Sequence, residues 1–308
     1  DRHLSPPPVF FFCLCDHGDL DISVSLVVLM FICEIADCDM RSTHVDCCMS
    51  WSDADIRYSE TEDDGLCSLA HEEKDGRAAG GCGGSITSML RAAGARVAVT
   101  DRNTDGIDAE AHFPGDLTDP SYTNTLPVQA AEVLGGLDIL VNNAGLMRRG
   151  KVTDSSDEDF DISVAVNVIA PVQLCRAAFP IMAAIGGGAI VNTASCWGVH
   201  PGPDHAVYCM TKAAIASLTQ CMARDHAHQG IRINAVCPNE VDTPMLRTGF
   251  EMRGFDPTTA VAELDKTVPL GRIAQPEDIA EVVLFLASDH ARYMCGSLVE
   301  VNGGKPVA

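Results

Sequence analysis

The chain of 308 residues has few aromatic side chains, only 5% of its residues, so a core must be built from Ala, Val, Leu and Ile. Its longest apolar run, from Val24 to Cys33, is about ten residues, whereas a membrane span needs about 20. Basic residues are scarce, because 21 Lys and Arg face 43 Asp and Glu, which gives a net charge of −22. We therefore expect no membrane insertion and no binding to nucleic acid or anionic lipid.

The 14 cysteines include no paired CxxC spacing, so a zinc site of the common kinds is not expected. The cysteines after residue 76 stand singly in apolar or helical contexts, as reduced core thiols do. Before that point, Cys13, Cys15 and His17 leave a small metal-binding cluster open as an alternative. The simpler reading is a cytoplasmic protein without a metal, because the cytosol keeps thiols reduced.

Apolar runs and amphipathic stretches alternate from residue 85 onward, as a doubly wound, mostly parallel α/β sheet requires. The patterns predict strands over residues 96–101, 111–116, 137–142, 189–193, 231–237 and 298–301. They predict helices over residues 85–93, 157–184, 208–228 and 276–288. We expect residues 76–308 to form one Rossmann-like domain, and residues 1–75 to form an irregular N-terminal extension.

The start of this domain lacks one expected element. A dinucleotide-binding fold needs a hydrophobic strand that runs directly into a Gly-rich turn. Here the glycines follow the charged segment Ala70–Arg77, which is unsuited to a buried central strand. The sequence therefore predicts that the first strand is missing or replaced. The apolar run Ser25–Ile35 is the alternative, as a substitute strand placed far from the turn.

Tyr208 and Lys212 stand four residues apart, and Ser195 precedes the tyrosine with twelve residues between them. Residues i and i+4 share one helix face, so an ammonium is expected beside a phenol. A nearby positive charge favours the phenolate and lowers a pKa that is ordinarily near ~10. The tyrosine is thus a candidate general acid/base, with the serine hydroxyl as a second donor to the same substrate oxygen.

Further motifs surround this pair in a fixed order. The strand that ends at Asn142 continues as Asn143-Ala144-Gly145, Asn167 lies on a helical stretch, and Pro238-Asn239 follows a later strand. In this order and spacing the chain resembles the short-chain dehydrogenase/reductase family from about residue 76 to its end. The resemblance implies a Rossmann-like oxidoreductase that interconverts a secondary alcohol and a ketone with NAD(H). It also implies a homotetramer or homodimer.

The resemblance assigns four catalytic residues. Tyr208 exchanges the proton on the substrate oxygen, and Lys212 lowers the pKa of Tyr208 and holds the nicotinamide ribose. Ser195 polarises the carbonyl or alcohol. Asn167 holds a water that links Lys212 to solvent, although a mid-helix amide that bonds to backbone is the alternative.

The resemblance also implies a set of cofactor contacts. Gly81 and Gly83 let the backbone approach the pyrophosphate at a helix N-terminus. Asp101 accepts from the adenosine ribose and favours NAD over NADP, although Arg102 beside it opposes that preference and a solvated strand end is the alternative. Asn142 is expected to be structural, tying neighbouring strands. The other expected contacts are Asp116, Leu117, Asn143, Ala144, Gly145, Tyr208, Lys212, Pro238, Val241 and Thr243.

The segment from residue 243 to 268 is expected to cover a small-molecule alcohol or ketone. Its Arg247 and Arg253 could bind a carboxylate, with surface solvation as the alternative. An epimerase or dehydratase uses the same YxxxK pair, but the chain after Ile231 is short for a separate substrate domain. A rival of another class is a non-catalytic scaffold that lost cofactor binding together with its first strand.

Overall fold

The computed structural model describes residues 81–305 and the backbone of Val27–Met30. Seven parallel strands form one sheet in the order β3-β2-β1-β4-β5-β6-β7. They are β1 (Val27–Met30), β2 (Val97–Asp101), β3 (Ala111–Pro114), β4 (Ile139–Asn142), β5 (Gly188–Thr193), β6 (Ile231–Pro238) and β7 (Leu298–Val301). The predicted doubly wound α/β class is confirmed.

The central position of the sheet is filled by β1, which corrects the expectation of an irregular segment there. Val27 pairs with Val97 of β2 on one side and with Ile139 of β4 on the other. The apolar run Ser25–Ile35 therefore supplies the substitute strand. The other residues of 1–75, the metal-cluster alternative among them, lie outside the described residues, and the domain division stays a prediction.

The helices cover both faces of the sheet. They are α1 (Cys82–Ala92), α2 (Pro120–Leu134), α3 (Asp157–Val164), α4 (Ala170–Ile185), α5 (Cys196–Val199), α6 (Ala206–His226), α7 (Pro244–Glu251), α8 (Pro257–Lys266) and α9 (Pro276–Ala287). Apolar side chains of α2, α4 and α6 share a core with one face, and those of α1 and α9 with the other. The sequence patterns did not predict α2, α5, α7 or α8.

A π-helical turn, Ala165–Ile169, joins α3 to α4, so that the helix runs without a break from Asp157 to Ile185. This stretch has the length and hydropathy of a membrane span, with a mean hydropathy of 1.7 over its most apolar window, 33% of which is buried. Its inner side chains Leu174, Ala178 and Met182 belong to the core against the sheet. The apolar residues of this stretch therefore pack the helix against the sheet.

Two side-chain features fix the sheet near its carboxyl edge. The buried amide of Asn142 donates to Asn192 Oδ1 at 2.8 Å, and Asn192 donates to Thr219 Oγ1 at 2.9 Å, which ties β4, β5 and α6 together. This confirms the structural role expected for Asn142. Pro114 closes β3 opposite Asp101, and a proline is tolerated there because β3 is an edge strand.

Candidate active site

The residues singled out by the sequence gather at the carboxyl edge of the sheet, because all seven strands run parallel. Asp101 ends β2, Asn142 ends β4, and Thr193 ends β5 just before Ser195. Strand order reverses between β1 and β4. In open α/β sheets, ligands bind outside the carboxyl ends of the strands at such a switch point.

Ser195 and Tyr208 contact each other through their side chains. Ser195 is the N-cap of α5, accepts a hydrogen bond from the backbone of Trp197 at 3.1 Å, and lies 3.4 Å from the carbonyl oxygen of Pro238. Tyr208 lies in the first turn of α6 and is half-buried. A substrate oxygen placed between the two hydroxyls would receive hydrogen bonds from both.

Lys212 lies one turn further along α6 and is only 4% exposed. Its Nζ donates to the carbonyl oxygen of Thr193 at 2.8 Å and lies 5.9 Å from the centre of the Tyr208 ring. Burial lowers the pKa of Lys212 from 10.5 to about 8. Gly145 provides the space for this ammonium, since a Cβ at Gly145 would stand 3.1 Å from Nζ.

The expected lowering of the Tyr208 pKa by Lys212 is wrong for the protein in this state. Burial raises the pKa of Tyr208 to about 12, and the opposing contributions come from the Ser195 hydroxyl and from the charge of Arg149. The Lys212 ammonium is bonded to Thr193 instead of the phenol. Tyr208 is therefore a protonated phenol at neutral pH, ready to donate a proton.

Asn167 lies in the π-helical turn and is 1% exposed. Its amide accepts from the backbone N–H of Leu146 at 2.9 Å, and donates to the carbonyl of Leu146 at 2.9 Å and to Thr211 Oγ1 at 3.0 Å. This is the backbone-bonding role considered as the alternative. It fixes the loop after β4 against α6, and π-helical turns are frequent at functional sites. The water-holding role stays a prediction.

Asp101 is the candidate ribose acceptor, and it is 8% exposed at the end of β2. Burial raises the pKa of its carboxyl from 3.8 to about 6, although the backbone N–H groups of Arg102 and Asn103 act in the opposite direction. The carboxylate is thus held in a place where water does not fully solvate it. A ligand that donates hydrogen bonds would compensate for that lost hydration.

Asp116 and Leu117 differ from the simple contact pair that the resemblance implies. Partial burial acts to raise the pKa of Asp116. Hydrogen bonds from Thr118 and the charge of Arg102 outweigh this effect and hold the pKa below its ordinary value. Arg102 Nη2 lies 3.1 Å from the Asp116 carboxylate. Leu117 is 1% exposed, and its side chain belongs to the core. The adenine contact stays a prediction.

The N-terminus of α1 fits a phosphate group. Gly81 is the N-cap and supplies no side-chain acceptor, and the first turn contains no acidic residue. Gly83 is buried in that turn, and its carbonyl accepts from Thr87 Oγ1 at 2.9 Å. The backbone N–H groups of a first helical turn and the positive end of the helix dipole favour an anion at this position.

The remaining expected contacts line the loops after β4 and β6. Asn143 Oδ1 accepts from Thr193 Oγ1 at 3.2 Å, while Ala144 is buried in the core. Val241 pairs with Ala274 and packs into the core, and Thr243 caps α7 through its hydroxyl. Within residues 81–305, no three His, Cys, Asp or Glu side chains come together as a metal site.

The sequence reading missed Arg149, whose charge acts on Tyr208. Arg149 Nη1 lies 2.8 Å from His205 Nε2, and His205 is the N-cap of α6. Within residues 243–268, Arg247 forms two hydrogen bonds of 2.7 Å with Asp242, and Arg253 Nε donates to the carbonyl of Gly249 at 2.8 Å. The available sequence signal for Arg149 was the basic pair Arg148-Arg149, which precedes Gly150 in the loop after β4.

A family model described as enoyl-(acyl carrier protein) reductase matches residues 76–305. The chain belongs to the short-chain dehydrogenase/reductase family. It is 38% identical to the oxidoreductase UcpA of Escherichia coli O157:H7 over 61% of this chain and 73% of that protein. It is 37% identical to 4-formylbenzenesulfonate dehydrogenase TsaC1/TsaC2 of Comamonas testosteroni over 74% of this chain and 95% of that protein.

The ligand-free structure of aldohexose dehydrogenase from Thermoplasma acidophilum has the same fold. It superposes with a TM-score of 0.75 at 24% identity and covers 94% of this chain and 97% of its own. Short-chain dehydrogenases/reductases are oxidoreductases that generally bind NAD(P), act on small molecules and commonly form oligomers. The fold and the family predicted from the motifs are thereby confirmed.

Proposed function

We propose that this short-chain dehydrogenase/reductase interconverts a secondary alcohol and a ketone with NAD(H), using Tyr208 as the general acid/base. The observation that carries the proposal is the contact between the Ser195 and Tyr208 hydroxyls, one turn from the buried Lys212. Two relatives are named as dehydrogenases of an aldehyde and of a diol, which supports a carbonyl/alcohol reaction.

In the reducing direction, Tyr208 donates its phenolic proton to the substrate oxygen while Ser195 donates a hydrogen bond to the same atom. The high pKa of Tyr208 keeps that proton in place until the oxygen gains negative charge. Lys212, with a pKa of about 8, is the nearby group able to stabilise the resulting phenolate. A bound nicotinamide supplies or accepts the hydride.

The cofactor that fits best is NAD. Asp101 presents a poorly hydrated carboxylate at the end of β2, where ribose hydroxyls would donate to it. A 2′-phosphate would place like charge beside that carboxylate, and the Arg102 guanidinium able to offset it lies against Asp116. Gly81 and Gly83 would carry the pyrophosphate at α1, and Gly145 and Lys212 the nicotinamide ribose.

We also propose a cytoplasmic homo-oligomer, dimer or tetramer. The described cysteines Cys175, Cys196, Cys209, Cys221, Cys237 and Cys295 are free thiols, as expected in a reducing compartment. An apolar groove between α4 and α6, lined by Val172, Phe179, Leu218 and Met222 among others, lies on the outer side of these helices. Light scattering on the parent and on Val172→Glu tests this proposal, since a monomeric parent contradicts it.

The decisive experiment for the reaction is Tyr208→Phe, which removes only the hydroxyl. We expect turnover to fall at least about 100-fold, because a positioned acid contributes ~10²–10⁴-fold, while NADH affinity by fluorescence titration stays within about threefold. Turnover above about a tenth of the parent value contradicts the assignment. A folded parent that binds no NADH favours the scaffold alternative, although the filled β1 position removes its main support.

A further inference from the structure

Ser195 depends for its place on a very short helix. It is the N-cap of α5, which consists of the four residues Cys196–Val199. A helix of a single turn has too few internal hydrogen bonds to be stable by itself, so contacts with other elements must hold it. The elements that hold α5 therefore set where the Ser195 hydroxyl stands relative to Tyr208.

One of these elements is α6, at the residue that carries the ammonium of the site. A Cβ at Gly198 would stand 2.5 Å from the carbonyl carbon of Lys212 and 2.8 Å from the backbone nitrogen of Ala213. The backbones of α5 and α6 therefore touch, which a larger residue than glycine would prevent. This contact stops α5 from moving toward α6, and a second contact is needed to stop it from moving away.

The second contact comes from β7, through Glu300. Val299 and Val301 of this strand pack into the core that α1 and α9 share with the sheet. Leu298 packs instead with Cys196 of α5, in a cluster that also includes α6. Side chains alternate along a strand, so Glu300 lies on the same side as Leu298. The alternation of β7 thus brings a carboxylate to α5.

The Glu300 carboxylate contacts both ends of α5. At the start, the thiol of Cys196 lies within reach of two acceptors, the carbonyl oxygen of Cys237 at 3.0 Å and Glu300 Oε2 at 3.7 Å. At the end, His200 is the C-cap, and its Nε2 lies 3.1 Å from Glu300 Oε1. Because an ionised carboxylate only accepts, the ring donates through Nε2. One side chain of β7 therefore spans the length of α5.

The chemistry of these groups suits a permanent contact. Cys196 is fully buried, and burial together with the charge of Glu300 raises the pKa of its thiol to about 12, so the thiol keeps the proton that it donates. The remaining partner of the carboxylate is Asn302, whose Nδ2 lies 3.2 Å from Oε2. Within residues 81–305, the hydrogen bonds of Glu300 thus go to the ends of α5 and to the turn after β7.

We infer that Glu300 is a positioning residue of the proposed reaction, which holds the two ends of α5 through Cys196 and His200 and so sets the place of the Ser195 hydroxyl. The inference rests on the proposed function and deepens it, because Glu300 acts through Ser195 and not on the substrate itself. A shift of a reacting group by about 1 Å can cost ~10²-fold in rate, so a loosened α5 would lower turnover in a protein that is still folded.

A double-mutant cycle on kcat separates this role from a general loss of structure. Glu300→Ala removes both contacts, and we expect kcat to fall about tenfold or more while NADH affinity stays within about twofold. In the Ser195→Ala background the serine hydroxyl is already absent, so the same change should lower kcat by less than about twofold. Equal losses in both backgrounds overturn the inference, because they show an effect that does not pass through Ser195.

Two further variants control for misfolding and for the loss of charge. Glu300→Gln keeps the shape of the side chain and one acceptor oxygen, and it takes the place of Glu300→Ala in the cycle if that protein does not fold. Its loss of kcat should be smaller and should again depend on Ser195, and equal losses in both backgrounds overturn the inference here too. Glu281→Gln is the matched control, since Glu281 is an exposed acid on α9, and its kcat should equal that of the parent.

The fluorescence of Trp197 separates this inference from the proposed reaction. Trp197 lies in α5, and Trp51, the second tryptophan of the chain, is replaced by Phe to leave one signal. Glu300→Ala should shift the Trp197 emission without substrate or cofactor, and an unchanged emission overturns the inference. A shifted emission, combined with a Ser195→Ala protein that turns over like the parent, keeps the hold of Glu300 on α5 and overturns the proposed role of Ser195.

Discussion

The carboxyl of Asp101 costs the free protein stability and, in the function proposed above, binds the cofactor ribose, and Asp101→Asn separates these two effects. The substitution keeps the shape of the side chain and removes its charge. Asp101 is 8% exposed, and burial raises its pKa from 3.8 to about 6. Below pH 3.8 the carboxyl is neutral in both the folded and unfolded chain, so the two proteins should be about equally stable there.

The magnitude follows from linkage. Between pH 3.8 and about 6 the folded state binds the proton more tightly than the unfolded state, so the free energy of unfolding falls as the pH rises. Each pKa unit corresponds to 1.36 kcal/mol, which makes the full loss about 3 kcal/mol above pH 6. Asp101→Asn should therefore be more stable than the parent at pH 7 to 8, by up to about 3 kcal/mol, without cofactor.

Cofactor binding should reverse that order. The amide of Asp101→Asn would keep only part of the hydrogen bonds that the ribose hydroxyls donate to the Asp101 carboxylate. The loss in binding free energy should be about 1.5–3 kcal/mol, which lowers the NADH affinity ~10- to 150-fold. Urea unfolding at several pH values, with and without NADH or NADPH, measures both effects. An Asp101→Asn protein that is less stable than the parent at every pH refutes the burial argument. Tighter parent binding of NADPH than of NADH shows that Arg102 governs the ribose.

Gly145→Ala would place a Cβ 3.1 Å from Lys212 Nζ, and we expect a lower kcat with little change in melting temperature. Gly136→Ala is the control, because its Cβ would meet no atom within 4 Å. Unchanged kcat would mean that Lys212 moves aside freely. Lys212→Ala should lower both kcat and NADH affinity, since the residue has two proposed roles; an effect on kcat alone contradicts the ribose contact. Val28→Pro should abolish cooperative unfolding by circular dichroism, because a central strand cannot lose its N–H groups, and a parent-like transition contradicts the placement of β1.

The sequence predicted the parts of the site that depend on spacing along one element. Tyr208 and Lys212 are neighbours because four residues make about one helical turn, and the strand ends meet because the sheet is parallel. Most strand boundaries also lie within two residues of the predicted ones, because the pattern that marks a strand likewise lies along one element. The helix over Pro120–Leu134 was missed, since a proline inside it, Pro127, argues against a helix.

Other features depend on contacts between distant segments, which no local pattern encodes. Arg149 finds His205 only when the loop after β4 meets the start of α6. The pKa of Tyr208 moves upward because burial outweighs its polar neighbours, and burial is a property of the packed site. The strand at Val27–Met30 was only an alternative, because its partners β2 and β4 lie far from it along the chain.

The central place of β1 links the affinity for a dinucleotide to the pairing of the strands. Among the strands that the structure describes, the four-residue β1 alone joins the two-stranded piece β2–β3 to the four-stranded piece β4–β7. Asp101 stands on the smaller piece, and Ser195 follows β5 of the larger one. A dinucleotide that touches both would therefore bridge the two pieces, and its binding and the pairing of β1 should strengthen each other.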